Sequence, residues 1–390
     1  MKDSLQELRK EFSAELRDNI LRYWTTRMVD EVRGGFFGRR DGFDNLDDNA
    51  DKGVILNTRI LWTFSHAARV LSVEYRPFAD RAYAYLVRYF VDPTHGGVYW
   101  MVNAEGKPVN TKKQIYAQAF AVYALSEYYM LTNNPAARDL AVSLFRLIEQ
   151  YSFDTTYNGY LEAFDESWIL LDDLRLSEKD ANEKKTMNTH LHVLEAYTNL
   201  YRCWPDGELK KKIVNLVEVF LDRIIRNDHF GLFFDEQWNL RADIISYGHD
   251  IEGSWLLYEA AEVVEDDDLT DRVREVSLAM VDAVRKEGLN KNGAVMNENN
   301  DPDLHWWPQA EALVGFMHAY QLTGREVYLT SMRKVWSFIN TNMIDRLNGE
   351  WYWRVDRSGN VCFDEDKAGP WKCPYHNSRA LLELLKRIPA

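Results

Sequence analysis

The chain has 390 residues, with 61 acidic and 47 basic side chains, a formal net charge of −14 and 46% hydrophobic residues. This acidic balance leaves no electrostatic case for binding nucleic acid or an anionic membrane. No apolar run reaches the roughly 18 residues of a membrane span, no signal peptide is evident, and the three cysteines have no paired spacing, so we expect a cytoplasmic protein without disulfides or a zinc site.

Twelve stretches with helical periodicity follow one another along the chain. In the first, Leu5, Leu8, Phe12 and Leu16 recur at steps of three or four residues, which predicts a helix with one buried face. The predicted helices span residues 4–28, 55–73, 77–91, 113–132, 135–151, 183–203, 208–226, 250–264, 268–287, 306–322, 325–343 and 375–387.

A glycine followed by apolar and aromatic residues recurs between pairs of these helices. The repeated glycines are Gly35, Gly97, Gly159, Gly231, Gly293 and Gly349, spaced by 62, 62, 72, 62 and 56 residues. Six helical hairpins of this kind predict an all-α fold, an (α/α)6 barrel with short β-hairpin-like loops at one end, and an open solenoid is the alternative. No linker interrupts the pattern, so we expect a single domain over residues 1–390.

Polar and aromatic side chains recur at the starts of the even-numbered predicted helices. In an alternating barrel these starts lie at one end and line one cavity. The candidates are Arg59, Tyr116, Asn188, His190, His249, Glu252, Trp255, Trp307, Glu311, Trp371 and His376. His190 and His192 are two residues apart, so both cannot point inward, and one of them is expected to be structural.

The histidines are the residues that suggest a chemistry. A histidine at a helix start is favoured in its neutral form, while a carboxylate one turn away, such as Glu252 beside His249, raises its pKa and fixes its tautomer. Two such histidines on opposite faces of a substrate suit removal and return of a proton on a carbon beside a carbonyl. Arg59 and His190 could then stabilise the enediolate oxygens.

Other interpretations fit the same residues. Glu252 and Glu311 could be the two carboxylates of a glycoside hydrolase, although the histidines would then have no task. The site could also bind a sugar without turning it over, with tryptophans stacked on the sugar ring. Arg59 could simply pair with an acidic neighbour, and the tryptophans could belong to the core. His190, His249 and His376 lack the close spacing of metal ligands, so we expect no metal.

Four motifs together resemble the N-acylglucosamine 2-epimerase superfamily over nearly the whole chain. They are Asn-Thr-His-Leu-His at 188–192, Gly-His-Asp-Ile-Glu-Gly-Ser-Trp at 248–255, Trp-Trp-Pro-Gln-Ala-Glu at 306–311 and Tyr-His-Asn-Ser-Arg at 375–379. The resemblance implies an (α/α)6 barrel that needs no cofactor. It also implies inversion at C2 of the reducing-end glucose of β-1,4-linked disaccharides, cellobiose giving 4-O-glucosylmannose and lactose giving epilactose.

The resemblance also implies roles for individual residues. His376 would be the base for the gluco substrate, His249 the acid on the opposite face, and His190 a contact to the substrate oxygens. Glu252 would orient His249. The remaining matches imply substrate-pocket or supporting positions, namely Arg59, Asn188, Trp255, Trp307, Glu311, Trp371 and, more weakly, Tyr116. Aldose–ketose isomerisation and epimerisation of N-acylglucosamine stay open on this scaffold. The expected partner is a small oligosaccharide, bound by a monomer.

Overall fold

The computed structural model of the chain describes residues 2–178 and 180–389. Along these residues, twelve helical rods alternate between an outer ring and an inner ring. The outer rods contain α1 (Lys2–Ala14) with α2 (Arg22–Arg27), α4 (Arg76–Tyr85), α6 (Pro135–Tyr151), α8 (Gly207–Val219), α10 (Asp267–Ala283) and α12 (Glu326–Phe338). The inner rods are α3 (Val54–Val70), α5 (Ile115–Thr132), α7 (Met187–Cys203), α9 (Tyr247–Val263), α11 (Trp306–Thr323) and α13 (Tyr375–Arg387).

The inner helices form a closed ring. Each contacts the next in chain order, and α13 contacts α3, which confirms the predicted (α/α)6 barrel over the open solenoid. Side-chain patterns explain the two rings. Helix α5 is buried on all sides from Ile115 to Tyr128, whereas α6 buries one stripe that includes Ala137, Ala141 and Leu144.

Several outer rods contain turns whose hydrogen-bonding pattern is wider or tighter than that of an α-helix. Wider π-helical turns continue them over Glu15–Leu21, which joins α1 to α2, and over Leu86–Phe90, Phe220–Ile224, Val284–Gly288 and Ile339–Met343. A short 3₁₀ turn, Val73–Tyr75, precedes α4. After the turns the chain doubles back through the repeated glycines. Gly97, for example, adopts φ +78°, which glycine tolerates best, and lets Val98 bridge to Val91.

Short antiparallel strands join the loops at the end where the inner helices begin. They are β1 (Arg39–Arg40), β2 (Leu46–Asp47), β3 (Lys52–Gly53), β4 (Met101–Val102), β5 (Pro108–Asn110), β6 (Lys113–Gln114), β7 (Ala163–Phe164), β8 (Lys185–Thr186), β9 (Ile225–Arg226), β10 (His229–Phe230), β11 (Phe233–Phe234), β12 (Leu304–His305), β13 (Arg354–Val355) and β14 (Val361–Cys362). Strands β3, β6, β8 and β12 lead directly into inner helices and pair with β4, β7, β11 and β13, so each loop supports its neighbour.

Among the described residues, none of the helices is both long enough and apolar enough to cross a membrane.

Candidate active site

The fourth residue of several inner helices fixes a neighbouring glycine loop. Gln118 accepts a hydrogen bond from the Val98 N–H at 2.7 Å, Gln309 accepts one from Val295 at 2.8 Å, and Asp250 accepts one from Phe230 at 2.8 Å. These side chains are buried, and each accepts a hydrogen bond from a backbone N–H of a tight turn.

His190 occupies this same fourth position in α7, and here the structure departs from the sequence-based expectation. Its Nε2 accepts the Tyr160 N–H at 2.9 Å, and its Nδ1 lies 2.7 Å from the Thr186 carbonyl oxygen. With both ring nitrogens bound to backbone and the residue fully buried, His190 has no nitrogen left to contact substrate oxygens. It is a structural residue that holds the Gly159 loop.

His192 is the histidine of this motif that points toward the barrel axis. Its Nδ1 lies 2.8 Å from Glu195 Oε2, and its ring packs against the rings of Tyr116 and Phe120 with centroids 5.0 and 4.8 Å apart. Although burial acts to raise it, the charge of Arg379 and the hydrogen bond with His192 lower the pKa of Glu195 to about 2. Glu195 is therefore an anion that fixes the His192 ring.

Arg379 lies beneath these side chains and binds three carboxylates. Its Nη2 donates to Glu252 at 2.5 Å and to Glu311 at 2.6 Å, and its Nη1 donates to Glu195 and to the Tyr375 hydroxyl. One buried cation thereby holds side chains from α7, α9, α11 and α13 in fixed positions.

His376, the second residue of α13, is oriented by Glu311. Glu311 Oε1 lies 2.7 Å from His376 Nδ1, which favours a proton on Nδ1 and leaves Nε2 as the proton acceptor. Burial, and then the positive charges of Arg59 and Arg379, lower the pKa of His376 well below its usual value. The imidazole is therefore neutral at pH 7, as a general base must be.

His249 has a different partner from the one expected. Its Nδ1 lies 2.8 Å from Ser246 Oγ, whereas Glu252 binds Arg379 and approaches His376 Nδ1 to 4.0 Å. The sequence-based expectation that Glu252 orients His249 is therefore wrong, because the third residue of α9 and the sixth point to different neighbours. Without a carboxylate, burial and repulsion from His192 lower the pKa of His249 to about 3 rather than holding it near neutrality.

The indole of Trp307 packs against both histidines. Its ring centroid is 4.6 Å from that of His249 and 5.7 Å from that of His376. Trp255, by contrast, is buried beneath the site, where its Nε1 donates to Glu311 Oε2 at 3.3 Å and its face packs on Arg379 at 4.9 Å. Trp255 supports Glu311 from below, while Trp307 is partly exposed and contacts both imidazoles.

Arg59 and Tyr116 form a pair from α3 and α5. Arg59 Nη2 donates to the Tyr116 hydroxyl at 2.8 Å, and the guanidinium lies 4.4 Å from the centroid of Phe120. The alternative that Arg59 pairs with an acidic neighbour is wrong, since no carboxylate lies within 4.0 Å of it in the described chain. Trp371 is partly exposed above this pair, with its ring centroid 6.0 Å from that of Tyr116.

A cavity of about 250 Å³ opens beside His249. Asn188 lines it together with Glu298 and with residues of the loop before α7, Leu174 and Leu176 among them. The Oδ1 of Asn188 is buried and has no hydrogen-bond partner in the described chain. The cavity therefore adjoins His249, although His376 does not line it.

Of the two clusters among the described residues that have the composition of a metal site, one lies here and the other, Asp92 with His95 and Glu166, lies elsewhere. Ligand atoms of Glu252, Glu311 and His376 lie within 4.8 Å of one another. Arg379 Nη2 already donates to both carboxylates, so its charge takes the place that a metal ion would need. These residues do not suit a metal, and the absence of a cofactor stays a prediction.

The sequence-based list omitted Glu195, Ser246 and Arg379. A helical-spacing signal existed for each: Glu195 is three residues after His192, Ser246 three before His249, and Arg379 three after His376. Arg379 ends the Tyr-His-Asn-Ser-Arg motif, but its role could not be predicted from the motif because its three carboxylate partners come from three other helices.

The chain is similar to known proteins over nearly its whole length. The family model described as N-acylglucosamine 2-epimerase (GlcNAc 2-epimerase) matches residues 35–380. A cellobiose 2-epimerase of Bacteroides fragilis is 48% identical over 387 residues, covering 97% of this chain and 98% of that protein. The structure of cellobiose 2-epimerase from Bacillus thermoamylovorans B4167 superposes with a TM-score of 0.95 at 41% identity, covering 98% of this chain and 100% of that one. A D-mannose isomerase of Marinomonas mediterranea is 22% identical and covers 92% of each chain.

Proposed function

The chain belongs to the N-acylglucosamine 2-epimerase family and is a carbohydrate epimerase, an isomerase, and from this premise we propose that it inverts C2 of the reducing-end glucose of β-1,4-linked disaccharides. Cellobiose would give 4-O-glucosylmannose, and lactose would give epilactose. The proposal is supported by full-length similarity to proteins named cellobiose 2-epimerase.

The observation that carries the proposal is the pair of neutral histidines that both pack against the Trp307 indole. Inversion at a carbon needs one group to remove a proton and a second group to return one from the other face. A hydrolase or a binding protein needs no such pair.

In the proposed path the sugar ring opens and His376 Nε2 removes the proton from C2. The C–H electron pair forms the C1–C2 double bond, and the carbonyl electrons move to O1, giving a cis-enediolate. After rotation about C2–C3, His249 donates a proton to the opposite face of C2, and the carbonyl at C1 is restored. His249 receives that proton from solvent, since its pKa leaves it neutral beforehand, and His376 releases its own proton to solvent.

The negative charge that develops on the enediolate oxygens calls for positive or donor groups nearby. Arg59 and His192 are the candidates, because Arg59 is a permanent cation and His192 is held on the axis by Glu195. His192 takes the role that the sequence had suggested for His190.

A glycoside hydrolase on this scaffold would need two free carboxylates. Glu252 and Glu311 are 1% and 0% exposed and both accept from Arg379, so neither is free to protonate a glycosidic oxygen. The proton-transfer interpretation is therefore preferred.

The test is incubation with cellobiose, and separately with free mannose, followed by chromatography of the products. We expect 4-O-glucosylmannose from cellobiose. Free glucose from cellobiose would identify a hydrolase, and fructose from mannose as the main activity would identify an aldose–ketose isomerase. The His249→Ala and His376→Ala variants are expected to fold and to lose nearly all epimerisation.

A further inference from the structure

A second cavity, of about 800 Å³, lies at the opposite end of the barrel from His249 and His376. Its walls are the C-terminal halves of α3, α5, α7, α9 and α13, together with the first outer rod. It is larger than the cavity beside His249, and the proposed reaction does not use it.

The lining of this cavity is positively charged, although the chain as a whole carries −14. Seven arginine and lysine side chains line the cavity, but one of them, Arg379, is already bound by three carboxylates that lie outside it. Each of the three glutamates in the lining is paired with a lining cation: Glu127 with Arg69 at 2.8 Å, Glu259 with Arg202 at 2.8 Å and Glu383 with Lys386 at 3.4 Å. Within residues 2–178 and 180–389, Lys10 and Arg17 have no carboxylate within 4.0 Å. The cavity therefore keeps cations without counter-ions.

Helix C-termini favour nearby cations, and five of them end around this cavity. That effect accounts for the lysine and arginine side chains near the helix ends. It does not account for two hydrogen-bond donors deeper in the cavity. The Trp62 Nε1 and the Arg379 Nε are buried N–H groups with no acceptor in the described chain, and both side chains line the cavity. Trp62 is 4% exposed and Arg379 1%.

The walls next to these donors are aromatic and ordered by stacking. The Trp62 ring lies between His66 and Tyr123, with centroid distances of 5.0 and 5.3 Å and interplanar angles of 10°. The stack fixes the plane of the indole, and therefore the direction of its N–H.

We propose that this cavity is a second binding site that takes a small multivalent oxyanion, a molecule that bears phosphate or several carboxylates. Its oxygens accept hydrogen bonds from Trp62 Nε1 and Arg379 Nε, and Lys10 and Arg17 balance its charge. Because the other nitrogens of Arg379 hold Glu195, Glu252 and Glu311, the bound anion lies one side chain away from the carboxylates that orient His192 and His376.

The test measures binding of inorganic phosphate and of citrate to the full chain by calorimetry, at constant ionic strength adjusted with sodium chloride. We expect saturable binding of at least one probe at one site per chain. Phosphate alone would identify a phosphorylated ligand, and citrate alone would identify a carboxylate ligand. No saturable binding of either probe would overturn the proposal.

Variants locate the site. The double variant Lys10→Ala with Arg17→Ala is expected to weaken binding by about tenfold or more, because two unpaired cations are removed. The matched control, Lys291→Ala with Arg357→Ala, removes one lysine and one arginine from exposed positions outside the cavity and should bind as the wild type does. If both double variants weakened anion binding equally, binding would depend only on the net charge of the protein, and the proposed site would be refuted.

A second variant tests the buried N–H of Trp62 without changing the charge of the cavity. Trp62→Phe keeps an aromatic ring between His66 and Tyr123 but removes the N–H, so anion binding should weaken while the unfolding temperature stays close to the wild type. Displacement of the bound anion by cellobiose would place it at the histidines instead and would contradict the proposal. None of these readouts depends on turnover, so they stand apart from a failure of the proposed epimerisation.

Discussion

Replacing His190 separates its backbone contact from any role in proton transfer. A glutamine at this position can reproduce both contacts of the imidazole. Gln309 does so at the equivalent position of α11, where Oε1 accepts the Val295 N–H at 2.8 Å and Nε2 donates to the carbonyl of His305, four residues earlier, at 3.1 Å. In α7 the corresponding groups are the Tyr160 N–H and the Thr186 carbonyl. We therefore expect His190→Gln to fold and to keep most of the epimerase activity.

The His190→Ala variant shows how much stability the backbone contact contributes. His190→Ala leaves the buried Tyr160 N–H without an acceptor, which costs about 1–3 kcal/mol of the free energy of unfolding, and opens a void where the ring was. The loop has little freedom to compensate, because Gly159 adopts φ +87° directly against the ring. His190→Ala should therefore lower the unfolding temperature by several degrees, and His190→Gln should recover most of the loss.

The assay combines thermal unfolding, followed by circular dichroism, with the initial rate of conversion of cellobiose. The matched control is His192→Gln, two residues along the same helix, which keeps the fold but removes the imidazole held by Glu195. It should lose most of its activity. A His190→Gln variant that is as stable as the wild type but inactive would refute the assignment of His190 as structural.

Three further predictions concern single side chains. Glu311→Gln removes the carboxylate that holds the proton on His376 Nδ1, so kcat should fall by about 10²- to 10⁴-fold with the circular dichroism spectrum unchanged, and a normal kcat would argue against His376 as the base. Ser246→Ala frees the His249 ring and should lower kcat by about 10- to 100-fold while KM changes little; an unchanged kcat would mean that the ring needs no such anchor. Burial raises the pKa of Glu162 to about 8, above its ordinary value of 4.5, so stability should fall as pH rises between these values, by up to about 1.4 kcal/mol per pH unit. Glu162→Gln mimics the neutral acid and should remove this slope between pH 6 and 8, and unfolding temperatures that keep the wild-type slope would show that another group titrates.

The fold was largely predictable because its signals are local and repeated. The apolar stripes of the outer rods and the glycine loops recur at nearly constant spacing, and the predicted helix 135–151 coincides with α6. Closure of the ring was harder to predict. It depends on contact between α13 and α3, which are separated by most of the chain and carry no local mark of each other.

The sequence predicts that the site residues lie at the starts of the inner helices. It does not predict which of them bind one another. The spacing of His190 and His192 shows that one of them points inward, but it does not tell which. Alignment of the inner helices by their first residues would have helped, because His190 then falls at the fourth position with Gln118, Asp250 and Gln309. The partners of Glu252 could not be foreseen from spacing, since the stronger attraction is to Arg379, a cation on another helix.

The central claim is that one histidine removes the C2 proton and another returns a proton from solvent on the opposite face. The most direct measurement is conversion of cellobiose in D₂O, with the hydrogen at C2 of the product identified by NMR. We predict deuterium at C2 of the 4-O-glucosylmannose formed, because His249 takes its proton from solvent before it donates. Protium retained at C2 in the product would show that the substrate's own hydrogen is transferred and would contradict the two-histidine mechanism.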